Sequence, residues 1–267
     1  MTSLNIIKKI VTFPTDKIPI NEINTVVLEP EKYEEDISKE LDYFLTNVKT
    51  LTPSTYTLNF LLLIIGKIKC KKMFNVLCKM LRKLDNEQIY VFIGDFLIYD
   101  FPSVLSATYD SGDINNFNNL CQIIRDTSLP YDSRGVGIIA IKILAKENKL
   151  DIQKVNKFVF NILELLCENP NVLIPNFMGT DNNKTFSYHK MTLYILELCI
   201  QLKLTDTIEM LKQLYDMNVL SKLIAKSNTE ISSWFTVSDK IKSKFADSSN
   251  VDIFTILKKY SKYKNII

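Results

Sequence analysis

Tyr33, Ile37, Leu41, Phe44 and Val48 follow one another at steps of three and four, the spacing that puts apolar side chains on one face of an α-helix. That pattern returns along the whole chain. It recurs in "YTLNFLLLIIGKIK" and "KKMFNVLCKMLRKL", in Val136, Ile139, Ala140, Ile143 and Leu144, and in Ile152, Val155, Val159, Ile162, Leu163 and Leu166. Met191, Tyr194, Ile195, Leu198 and Leu202 carry it on, followed by Ile208, Leu211 and Leu214. A chain of 267 residues with only six glycines and eight prolines has few residues for the tight turns that many strands need. The expected class is therefore all-α. Successive amphipathic helices joined by short links imply an α-solenoid of antiparallel helix pairs, a HEAT-like superhelix, because each pair buries its apolar face against its neighbours.

Punctuation in the sequence supports the pairing. Pro30 opens the Tyr33 helix, where a fixed φ and a missing N–H do no harm. Gly112 is a natural stop and Asp113 a natural start for "DINNFNNLCQIIRD". Asp151 is positioned as an N-cap, with Leu150 placed to staple onto Val155. Gly135 and Gly137 fall inside a strongly helical stretch, where each costs about 1 kcal/mol against alanine. Small residues at Gly137 and Ala140 let a neighbouring helix come close, which offsets that cost.

The order of "FPTDKIPINEI", "IGDFLIYDFPSVLSATYDSGDINNF" and "YDSRGVGIIAIKILAKENKLDIQKVNKF" resembles an uncharacterised bacterial family of HEAT-like helical proteins of about this length. The family occurs in chlamydiae, cyanobacteria and Legionella-like bacteria. The resemblance covers roughly residues 10 to 235 and is most specific at Gly94 and Asp95, at the Asp100 to Asp110 spacing, and at the Arg134 helix. It implies a helical array and supplies no reaction. Some relatives end in a cysteine-rich zinc motif, whereas this chain has no cysteine after Cys199, so that module does not carry over. The expected organisation is a HEAT-like helical repeat domain over 1–235 and a helical, basic tail over 236–267 that packs on or extends the array.

Composition narrows the function classes. The longest apolar run, "FLLLIIG", is far short of the roughly 20 residues that span a bilayer, and the N-terminus lacks a signal-peptide core. The five cysteines are odd in number and sit in apolar helical positions, as reduced core thiols do. A bacterial cytoplasmic location is expected, with delivery into a host cell as the alternative. Net charge is only +3, but it is uneven: "LEPEKYEEDISKELD" is acidic, while "GKIKCKKMFNVLCKMLRK" has no acid.

Each group with chemical potential has a structural reading beside it. Asp95, Asp100, Asp110 and Asp113 form the densest acidic segment. Converging carboxylates suit a hard cation, but Asp100 and Asp113 each precede a helix and read as N-caps. His189, the only histidine, has no cysteine motif or second histidine beside it. Arg134 reads as bridging to acids of the next repeat rather than binding an anion. Trp234, beside Phe235, is an interface anchor if exposed and a core end-piece if not. Lys67, Lys69, Lys71, Lys72, Arg82 and Lys83, with Tyr260 and Tyr263 in the tail, make a basic surface that could meet phosphates and stack on bases. No phosphate loop, nucleophile elbow or dinucleotide fingerprint is present.

These features point to a scaffold or adaptor that binds another protein and needs no cofactor or metal. The alternatives are an enzyme or cation-dependent protein using Asp95 to Asp113, and a nucleic-acid or anionic-surface binder using the lysines.

Overall fold

The computed structural model describes residues 3–14, 17–174, 181–220, 227–237 and 247–259, with the backbone alone at 3–4, 181–189 and 258. Its regular structure is helical, and among the described residues there is no strand. The chain runs through α1 (Ser3–Val11), α2 (Ile20–Leu28), α3 (Pro30–Asn47), α4 (Leu58–Ile68), α5 (Phe74–Lys83), α6 (Asn86–Phe92), α7 (Phe96–Tyr99) and α8 (Phe101–Ala107). It continues through α9 (Ile114–Arg125), α10 (Tyr131–Lys146), α11 (Ile152–Glu168), α12 (Asp181–Gln201), α13 (Ile208–Asp216), α14 (Asn228–Thr236) and α15 (Ile253–Lys259). No helix among the described residues is long and apolar enough to cross a membrane.

Two compact units result, one from the described residues of Met1–Asn116 and Ser248–Ile267, the other from those of Phe117–Asp247. The first is built around α4. Leu58 and every residue from Phe60 to Gly66 are buried, so this helix is apolar all round, as an interior helix must be. It meets α1, α2, α3, α8 and α15. Gly66 is what lets two of them close in. A Cβ there would lie 3.1 Å from the Val104 Cα on α8 and 2.8 Å from the Val251 Cγ2 just ahead of α15. The predicted stripe of α3 faces this core, with Tyr33, Ile37, Leu41 and Phe44 buried.

The second unit is built around α10. The period of its apolar residues predicts a one-sided helix, yet every residue from Ser133 to Ala145 is buried. Both glycines take part in that enclosure. A Cβ on Gly135 would lie 2.5 Å from the Tyr194 ring on α12, and one on Gly137 would lie 3.0 Å from Ile124 Cγ1 on α9. Lys142 on α10 pairs with Glu197 on α12, and Lys146 donates to Gln201. Both contacts span 55 residues, so the two helices run in the same direction.

Helix ends in both units use one device. Among the described residues, the non-glycine positions with positive φ are Lys69, Asn148, Lys203 and Asn218, each at a helix C-terminus. At α4, the N–H of Lys69 bonds Gly66 O and that of Cys70 bonds Ile65 O. At α12, Lys203 bonds Ile200 O and Leu204 bonds Cys199 O. These are the paired reverse bonds that satisfy the last carbonyls of a helix. In both places a buried apolar residue follows, then a three-residue 3₁₀ turn (Lys71–Met73 or Thr205–Thr207), then the next helix.

Candidate functional site

In the first unit a cleft of about 240 Å³ opens between the start of α4 and the turn from α6 into α7. Asp85 fixes where α6 begins. Its carboxylate accepts the Gln88 N–H at 2.8 Å while the Gln88 side chain accepts the Asp85 N–H at 3.2 Å, a reciprocal capping box. Past the end of α6, Gly94 adopts φ +56° and returns its N–H to Ile89 O, which ends the helix and re-aims the chain into α7. Helix α6 buries Ile89 and Phe92 in the core. Its other face is left bare: Tyr90 is 81% and Val91 40% exposed, and both line the cleft.

The opposite wall comes from Pro53, Tyr56, Thr57, Asn59 and Leu63, with Leu257 of α15 completing the lining. Tyr56 stacks on Phe44 at 5.4 Å, and Phe44 meets Phe92 edge-on at 5.2 Å. This aromatic group ties the two walls together. Beneath it the Tyr56 hydroxyl donates to Glu40 Oε1 at 3.1 Å, and burial pushes the Glu40 carboxyl above the usual carboxylate range.

Two polar atoms in the wall have no partner. Thr57 sits at the N-cap position of α4, yet its side chain makes no capping bond, and its Oγ1 is buried and unpaired. The Asn59 Oδ1, two residues on, is buried and unpaired as well. Buried polar atoms of this kind each cost about 1–3 kcal/mol when unsatisfied, and they are uncommon in native proteins. Among the residues lining the cleft there is one acid, the exposed Asp95, and no base.

Of the acidic segment, Gly94 and Asp95 belong to the cleft and the rest does not gather there. Asp113 accepts the Asn115 N–H at 2.9 Å and so caps α9. Asp100 makes no side-chain cap on α8; it is buried, and its carboxylate receives Lys259 of α15 at 3.0 Å. The charge of a lysine draws a carboxylate more strongly than a neutral N–H does, which accounts for the difference. Asp110 takes the Gly112 N–H and Lys71, and these hold its carboxyl below the usual range. Among the described residues no three His, Cys, Asp or Glu side chains converge as a metal site requires.

The basic residues are exposed but partly committed: Lys71 pairs with Asp110 and Lys72 with Glu34, while Lys67, Lys69, Arg82 and Lys83 lie on the surface. In the second unit Asp151 caps α11 through the Gln153 N–H at 2.9 Å, and Ala140 is buried. Phe235 is buried and Trp234 half-buried on α14. The cysteines are free; burial holds the thiols of Cys78, Cys121 and Cys199 up at about 12 and that of Cys70 at about 11, which suppresses the nucleophilic thiolate. The His189 side chain, Tyr260 and Tyr263 lie outside the described residues.

Arg134 departs from its expected role. It is fully buried, and its Nε donates to Ile124 O at 2.8 Å while Nη1 donates to Leu173 O at 2.5 Å. Ile124 lies in the last turn of α9 and Leu173 ends a 3₁₀ turn at Pro170–Leu173, so one guanidinium binds the carbonyl ends of two helical segments. A helix C-terminus carries partial negative charge, which is why a cation is tolerated here without a carboxylate in contact. Burial lowers its pKa to about 10, still charged at neutral pH.

No family model, curated protein or solved structure matches this chain.

Proposed function

We propose that the protein is a non-enzymatic interaction module, a scaffold or adaptor that docks another protein at the α6 cleft. The observation that carries this reading is the bare face of α6, where Tyr90 and Val91 stand exposed at the rim of a cleft with unsatisfied polar atoms in its wall. Exposed aromatic side chains at a concave site are the usual anchors of protein interfaces. Residue types that serve catalysis in other proteins are engaged here in holding the fold: Asp113 and Asp151 as caps, Asp100 and Asp110 in ion pairs, Arg134 as a carbonyl clamp.

The same proposal extends to architecture. We read the helices as antiparallel pairs in a HEAT-like solenoid, kin to the bacterial family that the sequence resembles. Two features support it. Contacts at a constant offset of 55 residues between α10 and α12 are what stacked, equivalent helices of successive repeats make. The shared connection after α4 and α12, with a left-handed residue, a buried apolar residue and a 3₁₀ turn, is what a repeated unit leaves behind.

The test is affinity capture from the native cell with mass spectrometry, using the wild type and the Tyr90→Ser, Val91→Ser double variant. A defined partner held by the wild type and lost from the folded variant is the expected result. An identical set of captured proteins from both baits would refute docking at α6.

A further inference from the structure

We propose that the cleft accepts an ammonium group on an apolar stem, namely a lysine side chain presented by the partner polypeptide. The inference rests on reading the cleft as a docking site and adds the chemistry of what docks. Four properties of the lining carry it.

The first is charge. Asp95 is the only ionisable carboxylate in the lining, it is exposed, and no basic residue lines the cleft to neutralise it. The second is hydrogen bonding. Asn59 Oδ1 is an acceptor with no donor, and Thr57 Oγ1, on a residue only 7% exposed, can accept as readily as it donates. An ammonium has three donors and no acceptor, so it complements two acceptor oxygens on lining residues that lack a donor. The third is the aromatic lining. Tyr56, Tyr90, Phe92 and Phe96 belong to the lining, and a cation is attracted to a ring face while an alkyl stem packs against a face or an edge. The fourth is size. About 240 Å³ is below the range of drug-sized ligand sites but holds one long side chain.

The uncapped N-terminus of α4 acts in the opposite sense, since its partial positive charge favours a carboxylate. A full negative charge at Asp95 together with the two unpaired oxygens outweighs a fraction of a charge that fades within the first helical turn.

The test is ¹H–¹⁵N NMR titration of the full chain with N-acetyl-lysine N-methylamide, its norleucine and glutamate counterparts, and n-butylamine. The lysine probe should saturably shift the amide signals of residues 56–59 and 90–96. It should bind at least fivefold more tightly than the norleucine probe, and Asp95→Asn should remove most of that preference without changing norleucine binding. Equal binding of lysine and norleucine, or preferred binding of the glutamate probe, overturns the proposal. So does n-butylamine binding tenfold more tightly than the lysine probe, which would mark a site for free amines. The two proposals fail separately. If the lysine probe does not bind but the Tyr90, Val91 variant loses its partner, the ammonium inference falls and docking stands. If the probe binds and capture is unaffected, docking at this cleft falls.

Discussion

Gly135 packs so tightly on Tyr194 that a Cβ would lie 2.5, 2.7 and 2.9 Å from Cε2, Cζ and Cδ2 of the ring. The ring has little freedom to retreat, because its hydroxyl donates to Asp132 Oδ1 at 2.8 Å and Asp132 also holds Lys190. Gly137 differs, since its nearest neighbour is the flexible Ile124 side chain at 3.0 Å. Alanine gains about 1 kcal/mol of helix propensity at either site. Gly135→Ala should nevertheless lose about 1–3 kcal/mol through overpacking, whereas Gly137→Ala should be within about 1 kcal/mol of wild type and Gly137→Leu should lose about 1–3. Urea unfolding of the three variants checks this, and equal effects at Gly135→Ala and Gly137→Ala would show that ring contact is not the cause.

Asp113 and Asp100 should respond differently to the same change. Asp113 needs only an acceptor oxygen for the Asn115 N–H, so Asp113→Asn should be nearly neutral and Asp113→Ala should lose about 1 kcal/mol. Asp100 is a buried carboxylate whose charge is met by Lys259, so Asp100→Asn should destabilise and should also loosen α15. Thermal melts of the three variants, with hydrogen exchange over 253–259, read both effects. A neutral Asp100→Asn would mean that the Lys259 pair contributes nothing.

Glu40 gives the fold a specific pH dependence. Burial raises its carboxyl pKa in the folded chain, and the Tyr56 hydrogen bond only partly opposes that. A folded pKa above the unfolded one, about 4.3 for glutamate, means that the unfolded chain releases its proton first as pH rises. Stability from this group is therefore greatest below that pH and falls as pH rises toward the folded pKa. Glu40→Gln should remove that loss, so its advantage over wild type should grow from acid to neutral pH. A difference in melting temperature that stays constant between pH 3 and 7 would exclude the mechanism.

Much of this was legible in the sequence, and the exceptions have physical causes. The period of α3, α11 and α13 placed most of their buried faces, because one-sided burial writes itself into spacing. Helix α10 did not announce that it is enclosed on all sides, since Lys142 and Arg134 look like surface residues until Glu197 and two carbonyls are brought to them. Ile152 was placed in the buried stripe of α11 and is exposed, as first-turn residues often are. The apolar segments break at Lys69 and Lys203, but the left-handed backbone there was not readable, because lysine is an ordinary helix former with no preference for positive φ. The cleft was the largest omission. Its α6 wall is seven residues long, too short to show a period, although Asp85 and Gln88 at capping-box spacing were readable.

Arg134 provides the sharpest test of how the second unit is held. Its planar fork serves Ile124 O and Leu173 O from one side chain, at 2.8 and 2.5 Å, across three segments of chain. A lysine has a single ammonium on a flexible stem and cannot reproduce a fork aimed at two fixed carbonyls. Arg134→Lys should therefore lose about 1–3 kcal/mol, the cost of leaving one buried carbonyl unsatisfied. Arg134→Met keeps most of the packing and abandons both carbonyls, so it should lose more. The order matters more than the size. If burial of an unneutralised charge were the dominant effect, removing the charge would relieve it, and Arg134→Met would be the more stable of the two. Native-state hydrogen exchange separates the cases further, because loss of the clamp should release amides near the end of α9 and in the Pro170–Leu173 turn before the rest of the unit opens. Uniform release across the unit, or Met more stable than Lys at 134, would show that the guanidinium is not the tie between those helix ends.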